Sequence, residues 1–257
     1  MKQNIAGSQS VYRAIAVLRG VAANNENGIT AKNLAGDIGL TIQTTHRILQ
    51  VLVDEGMLTV DPFSKTYHLG LEIYQMGSAA HVFTLTDFLE GTLQKLFEKT
   101  SETIFLFIRS GTDSICLRRL DGKYPIRALT LTSGSRRPLG VGAGGLALLA
   151  SLPSSLRDRI IKCNLAKYPY YFQTSFEEIQ QDVLATKSKG LSFNDGRVKD
   201  GVRGIGMATG PNDNPGLCAI SIATSDNRMA IDYRNLLETL LRDELNQIEW
   251  DLFSTRN

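Results

Sequence analysis

The chain has 257 residues, enough for one or two domains, and its apolar and charged fractions (42% and 21%) are those of an ordinary globular protein. A net charge of +2 is too small to indicate a polyanionic partner by itself. Because no apolar run approaches a membrane span and the first ten residues have no apolar core, we expect neither a membrane partner nor a signal peptide. Three scattered cysteines argue against a disulfide framework or a zinc site, so we expect a cytoplasmic protein.

Three short helices are predicted at the N-terminal end. Apolar residues recur at i, i+3, i+4 and i+7 between Val11 and Leu18, which indicates an amphipathic helix over 10–23. Thr30 can cap a second short helix, which Gly39 ends. Thr41 can cap a third helix, from Ile42 to about Glu55. Two short helices joined by a tight glycine turn are typical of a helix-turn-helix.

The hydrophobic period changes after the third helix. Residues 57–60 and 66–70 alternate as strands, and the DPFSK segment (61–65) between them reads as a turn. A hairpin that directly follows a recognition helix is a wing. Residues 71–83 then predict a connecting helix, and their composition gives no flexible linker.

The third helix carries two distinct faces. Thr45, Ile48, Leu49 and Leu52 share one face and should point inward, whereas Gln43, His46, Arg47 and Gln50 share the opposite face. A polar helix face often faces only solvent. Amide and guanidinium groups in this arrangement can also meet base edges or phosphates in a major groove, and the adjoining turn and hairpin favour that interpretation. The residues that we expect to contact DNA are Arg13, Thr30, Thr41, Gln43, Thr44, His46, Arg47, Gln50 and Lys65.

Charge in this region is local. Residues 1–50 hold five Lys or Arg and two Asp or Glu, whereas residues 51–83 hold one and four. Attraction to DNA must therefore come from a patch, and a single copy would bind weakly. Helix-turn-helix proteins usually overcome such weak binding by pairing two copies, with their recognition helices about 34 Å apart.

From Thr84 onward the pattern is mixed, with helices and strands in separate runs. This separation predicts an antiparallel sheet with helices on its faces, so the fold class is α+β. The predicted strands are 102–109, 114–120, 125–131, 191–195, 204–210 and 217–223, and the predicted helices are 86–100, 154–163, 176–189 and 228–252.

A glycine-rich segment, GVGAGG (140–145), matches the letters of a dinucleotide-binding fingerprint. That function requires a preceding strand and an acidic residue about 20 positions later. The upstream SGSRRPL is a poor strand, and residues 160–165 contain no acid, so we expect no nucleotide and no other cofactor. The glycines could serve only close packing of a turn. We favour a helix N-terminus whose free N–H groups receive an anionic or carbonyl oxygen of a ligand.

Several segments resemble the IclR-type transcription regulators. They are SVYRAIAVL (10–18), GLTIQTTHRILQVLVDEGML (39–58), YHLGLEIYQMG (67–77) and the later PLGVGAGGLALLA (138–150). The resemblance spans about 8–252. It implies a winged helix-turn-helix with a GAF-like effector domain, dimers or tetramers, and palindromic double-stranded operators. The family often has Pro-Lys-Ser where this chain has Thr41-Ile42-Gln43, so the operator sequence does not transfer.

The resemblance also implies an effector pocket. By alignment its lining would be Ile126, Leu129, Ala143, Gly144, Asn194, Val202, Gly204, Ser221 and Ala223. Members that hold small 2-oxo acids look like they carry Asp, Cys and Ser where this chain has Asn194, Gly204 and Ala223. The smaller, less charged residues here lead us to expect a bulkier carboxylic acid, aromatic or long-chain. Arg197 is either its carboxylate partner or a solvated arginine, and we interpret SRR (135–137) as a loop that contacts solvent or phosphate.

These observations predict three segments: a winged helix-turn-helix at 8–70, a linker helix at 71–83 and an effector domain at 84–254. We expect a ligand-controlled DNA-binding regulator and no enzyme. The alternative is a small-acid-binding enzyme or sensor without DNA binding, but the sequence contains no clear nucleophile–base set or metal cluster.

Overall fold

The computed structural model describes residues 8–78, 81–123 and 131–254. It divides into two compact units, with the boundary between Phe83 and Thr84. The elements before this boundary are α1 (Gln9–Ala23), β1 (Ile29–Thr30), α2 (Ala31–Ile38), α3 (Ile42–Asp54), β2 (Leu58–Val60), β3 (Thr66–Leu69) and α4 (Leu71–Ser78).

The three N-terminal helices enclose a small apolar core. Val17 and Val21 of α1, Leu34 of α2 and Leu49 of α3 are completely buried in it. Gly39 ends α2 in the left-handed region (φ 67°), where glycine has no steric penalty. The predicted helix-turn-helix is therefore confirmed, including its turn.

The unit also contains a three-stranded antiparallel sheet in the order β1-β3-β2, in which β1 comes between α1 and α2 and the other two strands follow α3. The predicted wing hairpin is β2 and β3, with Leu58 opposite Leu69. At its turn, the Asp61 carboxylate accepts hydrogen bonds from the backbone N–H groups of Phe63 (2.8 Å) and Ser64 (2.9 Å). These bonds hold the pKa of Asp61 below its ordinary value and fix the shape of the wing tip.

The second unit contains a six-stranded antiparallel sheet, β6-β5-β4-β9-β8-β7. Its described α-helices and strands are α5 (His81–Thr100, whose first three residues precede the boundary), β4 (Thr103–Ser110), β5 (Asp113–Leu120), β6 (Arg136–Pro138), α6 (Gly142–Ser151), α7 (Ser154–Asn164), α8 (Phe176–Lys189), β7 (Ser192–Asn194), β8 (Val202–Thr209), β9 (Cys218–Ser225), α9 (Ile231–Asn246) and α10 (Trp250–Ser254).

Helices cover both faces of this sheet. Along β4, Ile104 and Leu106 point to a core shared with α5 and α9. Phe105 and Phe107 point to the opposite core, shared with α6, α7 and α8. Successive strand side chains alternate between faces, so a strand buried on both sides reads as a continuous apolar run. The predicted α+β class is confirmed.

Several predicted elements differ from the structure. The last helix does not reach 252, since α9 ends at Asn246 and Trp250 begins α10, with its ring 5.6 Å from that of Phe88 on α5. The SRR interpretation as a loop is wrong, because Arg136–Pro138 pairs with β5. The helix predicted at 86–100 begins earlier, at His81, so residues 81–83 of the predicted linker helix belong to α5, and α4 spans only Leu71–Ser78. Most of the strand predicted at 125–131 lies outside the described residues.

Candidate DNA-binding surface and ligand pocket

Helix α3 separates its polar and apolar residues. Thr45 and Leu49 are completely buried, and Leu52 and Ile48 also face the core. Gln43, His46, Arg47 and Gln50 are all exposed, as the spacing predicts. Only Gln50 of these four has a described side-chain partner, since its amide nitrogen donates to Asp54 Oδ1 at 2.8 Å. The exposed face, called the reading face below, is thus available to a ligand outside the chain.

The start of α3 is fixed by threonine hydroxyls. Thr41 Oγ1 accepts a hydrogen bond from the Thr44 backbone N–H (3.2 Å) and donates to Thr44 Oγ1 (2.9 Å). The buried Thr45 hydroxyl donates to the Thr41 carbonyl (3.0 Å). Capping satisfies one of the orphan N–H groups of the first turn, so these residues set where the reading face begins.

We expect Thr41→Ala to lower the free energy of unfolding of the N-terminal unit by about 1 kcal/mol, because the cap hydrogen bond is lost. Thr41→Ser keeps the hydroxyl and should retain most of the stability. Urea unfolding followed by circular dichroism would measure both variants. Equal stability of the alanine and serine variants would contradict the capping role.

The other residues predicted to contact DNA lie on different elements of the same unit. Arg13 is half-buried on α1, and Lys65 is exposed in the wing turn with a positive φ of 58°. Thr30 Oγ1 accepts the Asn33 N–H (3.4 Å) and so caps α2, as predicted. Contact of these residues with DNA stays a prediction.

A pocket lies on the α6 face of the six-stranded sheet. It is partly open to solvent, and the centres of water-sized spheres can occupy about 50 Å³ of it. The described residues that line it are Phe105, Phe107, Leu131, Arg137, Val141, Gly142, Ala143, Gly144, Asn194, Val198, Lys199, Val202, Arg203, Gly204, Ser221, Ile222 and Ala223.

The structure brings together the described members of the predicted effector set at this pocket. Ala143, Gly144, Asn194, Val202, Gly204, Ser221 and Ala223 all line it. Ile126 and Leu129 lie outside the described residues. Sequence reasoning missed Phe105, Phe107 and Arg137. The two phenylalanines read as ordinary core residues of a buried strand, and only the fold shows that they face a pocket.

The glycine-rich segment forms the loop before α6 and the first turn of that helix. Gly140 and Gly142 have φ values of 98° and 74°, which other residues rarely adopt. A Cβ on Gly144 would lie 2.3 Å from the Phe107 ring, so close packing also requires glycine there. The segment follows β6, an edge strand of an antiparallel sheet, and this topology lacks the parallel crossover of a dinucleotide site.

The first turn of α6 faces the pocket without a capping side chain. Its N-cap is Val141, which makes no side-chain cap hydrogen bond, and Gly142, Ala143 and Gly144 line the pocket. The Ser192 hydroxyl donates to the carbonyls of Ala143 (2.7 Å) and of Gly206 on β8 (3.0 Å), which ties this turn to the sheet. The N-terminal N–H groups and the helix dipole there favour a negatively charged or carbonyl oxygen.

Arg197 is not among the described lining residues of the pocket. Its guanidinium pairs with Asp182 (2.7 Å) and Asp195 (3.2 Å), so its charge is already balanced by carboxylates. The suggestion that it binds an effector carboxylate therefore finds no support, and the solvated, ion-paired alternative holds.

Comparison with known proteins agrees with this architecture. Residues 10–62 match the IclR helix-turn-helix domain, and residues 77–250 match the model described as the bacterial transcriptional regulator IclR C-terminal domain. The chain belongs to the IclR family of transcriptional regulators. A probable transcriptional regulator, SauR, of Cupriavidus necator is 28% identical over 204 residues, covering 76% of this chain and 78% of SauR. The transcriptional repressor AllR of Klebsiella pneumoniae is 25% identical, covering 88% and 83%.

Solved structures show the same fold. An IclR homologue from Microbacterium hydrocarbonoxydans, crystallised with 4-hydroxybenzoate, has a TM-score of 0.80 at 18% identity, covering 96% of this chain and all of that one. An IclR regulator from Alicyclobacillus acidocaldarius has a TM-score of 0.75 at 20% identity, covering 93% and 96%.

The described residues contain no group of three or more His, Cys, Asp or Glu side chains that could hold a metal ion. None of the described helices is long and apolar enough to cross a membrane.

Proposed function

We propose that this IclR-family regulator binds a palindromic double-stranded operator as a homodimer or tetramer, under the control of a small carboxylic acid. The observation that carries the DNA-binding part is the reading face of α3. Its four polar side chains are exposed, while the opposite face of the helix is buried in the core. One face of a rigid helix is therefore available to a polar partner outside the chain.

The chemistry of the reading face fits a major groove. A glutamine amide at Gln43 or Gln50 can pair with adenine through two hydrogen bonds, and the Arg47 guanidinium can pair with guanine or hold a phosphate. The wing tip adds Lys65 as a further cation for the backbone. Base contacts would set the operator sequence, and phosphate contacts would set the register.

Exposed apolar side chains support self-association. On α1, Val11 is 58% exposed and Ile15 39%, and on α4, Leu71 is 65% exposed and Tyr74 70%. A pair of copies would bury such side chains and place two reading faces on successive turns of one duplex. Pairing also doubles the phosphate contacts, which compensates for the neutral charge of the N-terminal region.

The pocket supports control by a small acid. None of its described lining residues is His, Cys, Asp or Glu, the side chains that most often serve as a general base or a nucleophilic thiol. It combines apolar walls with a helix N-terminus, and this favours binding over reaction. Occupancy would alter DNA affinity through residues 71–83, and only by the difference in ligand affinity between the two states.

The test is binding of the full chain to the DNA upstream of its own gene, by fluorescence anisotropy at several salt concentrations. We expect saturable binding whose log–log salt slope is about −0.9 for each phosphate neutralised. Adding carboxylic acids one at a time should change the affinity for DNA. Failure to bind this DNA or a selected random-sequence pool, at any salt concentration, would overturn the DNA-binding proposal.

A further inference from the structure

Arg137 differs from the other described arginines near the ligand pocket. It lies half-buried on β6 and lines the pocket together with the first turn of α6. Its described side-chain contact is the Tyr171 ring, whose centroid lies 5.8 Å from the guanidinium carbon. Burial lowers its pKa from the ordinary value, and no carboxylate contributes an opposing effect. Arginine nevertheless stays protonated in proteins, so the pocket contains a partly desolvated cation.

Neighbouring arginines each have a carboxylate close by. Arg203, which also lines the pocket, has its Nε 2.8 Å from Asp226 Oδ1. Arg136, the residue before Arg137, lies 3.4 Å from Asp113. Among the described ion pairs, none involves Arg137. Removing a cation from water without a counter-charge costs free energy. A ligand that brings a negative charge to Arg137 would therefore bind more tightly.

All the charged side chains in the described pocket lining are positive. The described lining residues include Arg137, Lys199 and Arg203 and no Asp or Glu. Lys199 is exposed, so water screens its charge, whereas Arg137 is more enclosed. The uncapped first turn of α6 adds partial positive charge on the same pocket. Two independent features of the pocket thus favour an anion.

The other lining residues indicate what kind of uncharged group the anion carries. Phe105 and Phe107 stack with their ring centroids 5.8 Å apart, and Leu131 and Val198 also line the pocket. Apolar and aromatic walls favour a hydrocarbon group next to the charge. A second carboxylate placed against these side chains would lose its hydration without gaining a partner.

We propose that Arg137 binds the carboxylate of the effector and thereby selects monocarboxylic acids with an aromatic or long apolar body. This inference rests on the proposed function of the pocket as the effector site. A guanidinium binds both oxygens of a carboxylate through two parallel N–H bonds, which lysine cannot reproduce. Arg137 is therefore a specificity-determining residue for effector charge, while the phenylalanine walls determine effector shape.

The experiment compares acids with their uncharged amides. The probes are benzoate, 4-hydroxybenzoate, phenylacetate and hexanoate, each with the corresponding amide, and binding to the full chain is measured by titration calorimetry. We expect at least one acid to bind and its amide to bind at least tenfold more weakly. In Arg137→Met the acid should lose at least tenfold in affinity and the preference over the amide should disappear. Arg137→Lys should recover only part of the loss.

Arg136→Met is the matched control. Arg137 also lines a separate surface groove, whose carboxylate, Asp113, is paired with Arg136 and Lys167. Arg136 does not line the pocket. Acid binding that falls equally in both variants would place the anion in the groove and overturn the proposal. So would equal binding of acid and amide, unchanged binding in Arg137→Met, or no binding of any acid in the panel.

Operator binding by the same samples separates this inference from the proposed function. Arg137→Met should bind DNA without ligand as tightly as the unaltered protein, since the substitution lies in the other unit. If the unaltered protein binds DNA but does not distinguish acid from amide, or if Arg137→Met keeps that preference, only the role of Arg137 is overturned. If the unaltered protein does not bind DNA, the proposed function as a DNA-binding regulator, on which this inference rests, is overturned.

Discussion

Arg47→Ala is expected to weaken operator binding about 5- to 150-fold per recognition helix, a loss of about 1–3 kcal/mol. Arg47 is exposed on the reading face, and none of the described ion pairs includes it. Its removal therefore takes away a contact to DNA without opening a core or leaving a buried partner unpaired. Anisotropy titrations against the operator and against operators with single base changes would measure the loss.

The pattern of the loss tells which DNA group Arg47 contacts. If it reads a guanine, the variant should lose discrimination at one base position and keep it elsewhere. If it holds a phosphate, binding should weaken for all sequences and the salt slope should fall by about one. Arg109→Ala is the control, because it removes the same charge from an exposed arginine of the second unit. Equal losses in the two variants would mean that only bulk charge matters.

Arg228→Ala is expected to destabilise the second unit by about 3 kcal/mol. The Glu102 carboxylate is completely buried and receives hydrogen bonds from Arg228 Nε (2.9 Å) and the Tyr233 hydroxyl (2.9 Å). Removing the guanidinium leaves a buried carboxylate without its positive partner, which typically costs about 3–5 kcal/mol. The lower end applies here because the Arg228 side chain is 32% exposed and water can partly replace it.

The single tryptophan, Trp250, lies in this unit and reports its unfolding by fluorescence. Urea titration should give a lower midpoint for Arg228→Ala than for the unaltered protein and for the exposed control Arg109→Ala. The double variant Glu102→Leu with Arg228→Met should recover much of the loss, since no charge is then left unpaired in the interior. A single variant as stable as the control would show that the buried pair is not needed.

Much of the N-terminal unit could be predicted because its signals are local. The caps at Thr30 and Thr41 and the left-handed turn at Gly39 depend on residues only a few positions apart. The faces of α3 follow from the helical period alone, which is why the exposure of Gln43 and Arg47 agrees with prediction. Strand β1 was missed because it has two residues, and only its pairing with β3 identifies it.

The second unit was less predictable wherever long-range contacts decide the structure. Strand β6 reads as a polar loop, yet pairing with β5 makes it a strand and places Arg137 at the pocket. The helical pattern near the C-terminus continues past Asn246, but the chain stops the helix there and packs Trp250 against Phe88. A periodic pattern does not distinguish one long helix from two short ones that bury the same side chains.

The sequence by itself determined the helix-turn-helix, the orientation of its reading face, the α+β class and the family, because each depends on short-range order of polar and apolar residues. Only the tertiary structure decided which charges have partners. Arg197 and Arg137 are the same residue type and each lies over an aromatic ring, but folding places two carboxylates beside Arg197 and no described ion-pair partner beside Arg137. Electrostatic balance depends on distances between residues far apart in the chain, and the sequence pattern contains no record of those distances.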